Sequence, residues 1–241
     1  MGFLSLFQKT NQQISLITFN GRIIMKTKYL LLILVSISSM ALYAQPNELY
    51  YKMMAENLQL MGSATTLQNQ QEVINKFERI AAVNPDEWLP LYYAGLMYTN
   101  LNWADSLTDN ERDELLDKAG TLAKRAEQIA PDESEIIALE GYVLMARLSV
   151  KPGERGMVLT PKVNKKFNDA LELNPDNPRA LFLKASMEMG TANFFGTTSQ
   201  SACVLLSKSL EIFEKEKETD RGILPNWGKD NAQELLPSCK F

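Results

Sequence analysis

A proline-containing phrase occurs three times in this 241-residue chain and constrains the fold more than any other feature. The copies read VNPDEWLP, IAPDESEI and LNPDNPRA, and their prolines Pro85, Pro131 and Pro175 are spaced by 46 and 44 residues. Each copy follows an apolar-periodic stretch, places a proline where a helix cannot continue, and then supplies an acidic or amide residue suited to capping the next helix. A period of this length with helix–helix–proline order indicates a helical repeat protein.

Small residues recur in step with the prolines. Gly95, Gly141 and Ala185 each lie ten residues after a proline, where a small side chain lets two helices approach closely. No stretch shows sustained alternation of apolar and polar residues, so we expect no strands. One helix pair cannot cover its own apolar faces, whereas stacked pairs form one continuous core. The expected fold is therefore all-α: a right-handed α-solenoid of stacked antiparallel helix pairs.

The periodicity predicts nine helices, each bounded by capping or turn residues. The connections inside the pairs, at 100–110 and 148–160, are predicted to be loops on one edge of the stack. Within the second of these, KPGERG (151–156) is predicted to be a mobile turn, with Thr160 and Pro161 starting the next helix. In the loop TANFFGTTSQ, Phe194 or Phe195 is expected to fill the interface between repeats. The predicted helices span about 47–61, 65–83, 87–101, 109–129, 133–148, 161–173, 178–189, 199–217 and 229–239.

The amino-terminal segment has the order of a secretory signal peptide. From Met25 the chain reads MKTKYLLLILVSISSMALYAQ, with a basic start, an apolar run and small residues up to Ala44. We expect residues 25–44 to be a signal peptide cleaved near Ala44, and residues 1–24 to be a mis-assigned extension. Residues 45–241 would form a single helical repeat domain with a C-terminal capping helix, exported to the periplasm. The alternative is an uncleaved membrane helix, for which the apolar run is short.

Composition restricts the possible functions. The chain contains no histidine and only two cysteines, so it lacks the commonest general base and the ligand set of a four-ligand zinc site. No nucleophile elbow, Ser-x-x-Lys signature or phosphate-binding loop occurs, so we predict no enzyme activity, no metal and no cofactor. Residues 1–44 hold four basic residues and no acid, which leaves 21 basic against 29 acidic residues. Such an acidic chain is a poor candidate for binding nucleic acid or anionic lipid, and we predict no nucleic-acid partner and no membrane insertion after signal cleavage.

Several runs resemble tetratricopeptide repeats (TPRs). The resemblance lies in Gly95 and Tyr98 after NPDEW, in KAGTLAKRAEQIAP, and in KKFNDALELNP, and it covers most of 70–217. The tryptophan usual in the first helix is replaced by Leu91, Ile137 and Leu181. The repeats exceed the usual 34 residues by 12 and 10. The resemblance implies the TPR-like superhelix described above.

The resemblance also implies a function and a surface. In TPR proteins the first helix of each pair lines a concave groove where partners dock, so we predict that this chain binds a protein or peptide there. The alternative for any of these side chains is that it belongs to the core or is covered by the helix at 49–60. A subunit of a cell-envelope complex, using edge loops and the convex face, is the alternative. The predicted groove residues are Leu89, Tyr92, Leu96, Thr99, Glu135, Ala138, Tyr142, Met145, Arg179, Phe182 and Ser186.

The two cysteines are placed so that they can meet. Cys203 starts one predicted helix and Cys239 ends the next, so antiparallel packing would bring the two sulfurs to one level. Export implies an oxidising compartment, in which a disulfide would persist. A Cys203–Cys239 disulfide is therefore predicted, and two separate, partly buried thiols are the alternative.

Overall fold

The computed structural model describes residues 48–239, and within them the chain is helical with no β-strand. The all-α prediction is confirmed. The segments 1–24 and 25–44, predicted as an extension and a signal peptide, lie outside the described residues. No helix in the described part is long and apolar enough to cross a membrane. The helices are α1 (Glu48–Ser63), α2 (Leu67–Val83), α3 (Leu89–Leu101), α4 (Asp109–Ile129), α5 (Ser134–Val150), α6 (Pro152–Leu173), α7 (Pro178–Phe194), α8 (Gln200–Lys217) and α9 (Lys229–Leu235), followed by a 3-10 turn (Leu236–Ser238).

The recurring phrase forms the same helix ending each time. The backbone N–H groups of Asn84, Ala130 and Asn174 each donate to a carbonyl four residues earlier, and the chain then turns at the proline. The following helices begin at residues 89, 134 and 178, within two residues of the predicted starts at 87, 133 and 178. Asn177 caps α7 by accepting from the Ala180 backbone N–H. The phrase therefore encodes the turn between successive helix pairs.

Local signals fix other helix starts as well. Thr108 and Glu111 form a capping box at the start of α4, in which each side chain accepts from the other residue's backbone N–H. Thr66 accepts from the Asn69 N–H at the start of α2. Ser199 caps α8 in the same manner. These caps satisfy backbone donors that a helix leaves unpaired at its first turn.

Small residues allow the helices to pack closely. Gly141 on α5 faces the ring of Phe167 on α6, and a Cβ built at Gly141 would lie 2.5 Å from Phe167 Cε1. At Gly95 on α3, a Cβ would lie 3.3 Å from the Ala119 carbonyl oxygen of α4. Phe167 and Ala119 are both fully buried. These contacts explain why a glycine follows Pro85 and Pro131 at the same distance.

Helix α6 begins nine residues earlier than predicted. Pro152 occupies its first turn, so KPGERG is the start of a helix, and Pro161 lies inside it. The predicted mobile turn and the predicted start at Pro161 are therefore wrong. Arg155 holds the early turns in place, because its guanidinium donates to both carboxylate oxygens of Asp113, at 2.8 and 2.6 Å. The Arg155 guanidinium also lowers the pKa of Asp113.

Two further expectations concern the carboxyl-terminal part. Phe194 and Phe195 are 67% and 70% exposed and contact each other edge to face, so neither fills an interface between repeats as predicted.

Cys203 of α8 and Cys239 are joined in a disulfide. Their sequence separation of 36 residues corresponds to about 3–4 kcal/mol of stabilisation in the loop-entropy description. The disulfide fixes the end of the chain to α8.

Substitution of Gly141 by alanine tests whether α5 and α6 pack as closely as the Gly141–Phe167 contact indicates. Gly141→Ala would force the Phe167 ring to move, and we expect it to lower the free energy of unfolding by about 1–3 kcal/mol. Gly190→Ala in α7 is the matched control, because a Cβ there would meet no atom within 4 Å. We expect this control to be neutral or to stabilise by up to about 1 kcal/mol. Denaturant unfolding measures both, and equal effects would contradict this packing.

Candidate functional site

The segment 218–228, which links α8 to α9, packs against the first helices of the central repeats; we call it the C-terminal strap. Ile223 lies in the same apolar cluster as α3, and its carbonyl accepts from Tyr93 Oη at 2.9 Å. The indole N–H of Trp227 donates to Tyr92 Oη at 2.8 Å, and its ring stacks on Tyr142 with centroids 6.0 Å apart. The strap therefore contacts the helices that were predicted to line the groove.

A buried ion network joins the strap to this surface. The Arg179 guanidinium is fully buried, and its Nε donates to Glu135 at 2.7 and 2.8 Å. Nη1 and Nη2 donate to the Glu216 carboxylate at 3.0 and 2.8 Å, and Nη1 also approaches the Trp227 carbonyl at 3.4 Å. Buried charges require pairing of this kind because the interior solvates them poorly. Arg179 thereby links α5, α8 and the strap.

Burial and charge pairing within the network shift the pKa values of its side chains. Burial raises the pKa of Glu135, and the neighbouring Arg179 charge opposes that shift. Burial alone would lower the pKa of Arg179, but Glu135 and Glu216 raise it overall. Burial and the Glu135 charge raise the pKa of Tyr92 well above its usual value. Tyr92 consequently stays protonated, and its hydroxyl donates a hydrogen bond to Glu135 Oε2 at an O–O distance of 3.3 Å.

Both ends of the strap are fixed. Arg221 lies 2.7 Å from Glu216 and donates to the Pro225 carbonyl at 3.0 Å. Gly228 has a positive φ of 103°, and a Cβ there would lie 3.1 Å from Phe213 Cζ. Glycine is favoured at this position on both counts. Beyond α9, the Cys203–Cys239 disulfide returns the chain to α8.

The predicted groove residues are mostly inaccessible in this structure. Glu135 and Arg179, the acid and the base of the predicted set, pair with each other, and the strap covers Tyr92. A ligand would reach this surface only if the strap moved. Of the eleven residues, Tyr142, Met145 and Ser186 are partly buried, and the other eight are buried: Leu89, Tyr92, Leu96, Thr99, Glu135, Ala138, Arg179 and Phe182.

An accessible groove lies at the other end of the described chain, between α1 and α2; we call it the α1–α2 groove. Its volume is about 340 Å³. Four apolar side chains and Asn57 line it together with Glu56 on α1 and two basic residues on α2. The sequence does not predict this groove, because its pattern indicates the helix at 49–60 only as a cover for the concave surface. The lining residues are Met53, Glu56, Asn57, Leu60, Lys76, Arg79, Ile80 and Val83.

Large apolar side chains are also exposed at the turns inside the later helix pairs. Trp103 follows α3, and Met157 lies in the first turns of α6, where 93% of its surface is exposed. Phe194 and Phe195 end α7. These side chains are the accessible apolar groups at the predicted edge of the stack.

Comparison with known proteins gives structural matches only. No family model matches the chain, and no curated protein matches it. The HusA haemophore from Porphyromonas gingivalis matches with 29% identity and a TM-score of 0.70, covering 79% of this chain and 92% of that one. A thermophilic TPR protein from Thermus thermophilus matches with 15% identity and a TM-score of 0.53, covering 78% of this chain and 88% of that one. The fold is TPR-like, as the repeat pattern predicted.

The buried network predicts a large effect of removing one charge. Glu135→Gln leaves the Arg179 guanidinium only partly compensated, so we expect the free energy of unfolding to fall by about 3 kcal/mol. Asp169→Asn is the control, because Asp169 pairs at 2.7 Å with Lys165, whose side chain is exposed on α6. Exposed pairs of this type contribute little. Denaturant unfolding compares the two variants, and a Glu135→Gln variant as stable as the control would contradict the role of the network.

Proposed function

We propose that this chain is an exported haemophore-type protein that binds haem or a related tetrapyrrole. The similarity to the HusA haemophore carries this proposal, because 29% identity extends over 92% of that protein with a TM-score of 0.70. The aligned region includes most of the chain rather than one repeat. A general TPR-like likeness gives the fold alone and would not favour a tetrapyrrole over any other ligand.

The residues present favour a particular way of holding the tetrapyrrole. The chain has no histidine, so no imidazole is available to coordinate iron. Both cysteines are in the disulfide. Burial raises the pKa of Tyr92, Tyr93 and Tyr142, so these hydroxyls remain protonated and are poor iron ligands. Without imidazole or thiolate ligation, binding would rest on apolar contact with the macrocycle and on ion pairs to its carboxylates.

Export is part of the proposal. The segment up to Ala44 has the order of a signal peptide, and cleavage there would release the helical domain to the periplasm. The Cys203–Cys239 disulfide supports export, because disulfides persist in oxidising compartments.

A protein or peptide partner is the second candidate. The exposed side chains of Trp103, Phe194 and Phe195 favour it, because aromatic groups are enriched at protein interfaces. Such a partner would bind at the edge of the stack, as the envelope-subunit hypothesis expects. Binding in the predicted concave groove would additionally require displacement of the strap.

Titration with haemin and with iron-free protoporphyrin IX tests the proposed function. We expect the Soret band of each compound to shift saturably at one equivalent of protein. Because no imidazole is available, the two dissociation constants should agree within about tenfold, a difference of ~1.4 kcal/mol. Absence of a saturable spectral change for both compounds at micromolar protein would reject the proposal.

A further inference from the structure

The α1–α2 groove combines an accessible apolar interior with basic residues on one wall. Ile80 is buried at its base, Met53 is partly buried, and Leu60 and Val83 are exposed at its rim. Among the described residues no helix precedes α1, and no described repeat covers this face of the first pair. In a stack of repeats, each inner pair is covered by its neighbours, whereas an end pair keeps an open face. The groove thus lies where the stack leaves apolar surface accessible.

Two cations line the groove without an anionic partner in residues 48–239. Lys76 and Arg79 are three residues apart on α2, so they project from one face of the helix. Lys76 is partly buried and Arg79 is exposed. Glu56 lies across the groove on α1, and the Lys52 ammonium is 3.9 Å from its carboxylate. The α2 wall is therefore suited to an anionic ligand.

Asn57 supplies a further polar feature. Its side chain is 2% exposed, and its amide nitrogen donates to the Val73 carbonyl at 3.1 Å. Its carbonyl oxygen Oδ1 receives no hydrogen bond within the described part of the chain. Buried polar atoms are usually paired, so an unpaired acceptor beside an open groove indicates a place for a donor from a ligand. A pyrrole N–H or a hydroxyl would satisfy it.

We propose that the α1–α2 groove binds the tetrapyrrole, with Lys76 and Arg79 pairing with its carboxylates. This inference rests on the proposed haemophore-type function and assigns its site. Protoporphyrin is a flat apolar macrocycle with two carboxylates at one edge, which matches an apolar interior beside two adjacent cations. The concave surface offers no comparable match, because its one cation, Arg179, is already paired with two carboxylates.

Charge-removing variants test the site. In Lys76→Gln/Arg79→Gln, the macrocycle keeps its apolar contacts but its carboxylates lose their partners, so affinity for protoporphyrin IX should fall by about tenfold or more. Lys124→Gln/Arg125→Gln is the matched control, since it removes the same charge from two exposed residues of α4 that make no ion pair within residues 48–239. We expect the control to bind like the unaltered protein. Circular dichroism establishes that both variants are folded.

Protoporphyrin dimethyl ester separates the ion pairs from apolar binding. The unaltered protein should bind the ester more weakly than the free acid, whereas Lys76→Gln/Arg79→Gln should bind both equally. If the unaltered protein binds protoporphyrin and both double variants bind it with unchanged affinity, the assignment to this groove is overturned while the proposed function stands. If the unaltered protein binds no tetrapyrrole, both are overturned.

Discussion

The buried Arg179 guanidinium is the interaction on which the inner surface of this protein depends. It pairs with Glu135 on α5 and with Glu216 on α8, and it approaches the Trp227 carbonyl of the C-terminal strap. Removing one partner of such a buried charge destabilises a protein by about 3–5 kcal/mol. The network therefore holds the strap against α3 and α5, so that the first helices of the repeats form an enclosed core.

The repeated sequence predicted most of the helical architecture because its signals are local. The proline phrase sets the turns between pairs, and the capping box of Thr108 and Glu111 acts within one turn of helix. Pro152 is a local signal for the start of α6, but the glycines on either side of Arg155 favour a loop, and the contact that holds these turns, Arg155 with Asp113, spans 42 residues. A proline that normally marks a helix start, Pro161, is thus included in a helix that had begun earlier.

The candidate site was harder to predict, because its contacts join residues that are even further apart in the sequence. The Tyr93–Ile223 hydrogen bond joins residues 130 positions apart. No local sequence pattern predicts that the strap packs against α3. The available signal was the pair of large apolar residues Ile223 and Trp227 in an otherwise largely polar connection. The α1–α2 groove was not predicted because no local pattern shows that Lys76 and Arg79 form no ion pair with any carboxylate of residues 48–239.

These features together describe a stack whose inner surface is closed by its own strap and whose accessible apolar groove lies between α1 and α2. Amide hydrogen–deuterium exchange of the full domain, with and without protoporphyrin IX, tests this description most directly. We predict increased protection in α1 and α2 on binding, with exchange of the strap at 218–228 unchanged. Loss of protection in the strap together with new protection in α3 and α5 would instead place the ligand on the concave surface and contradict the account.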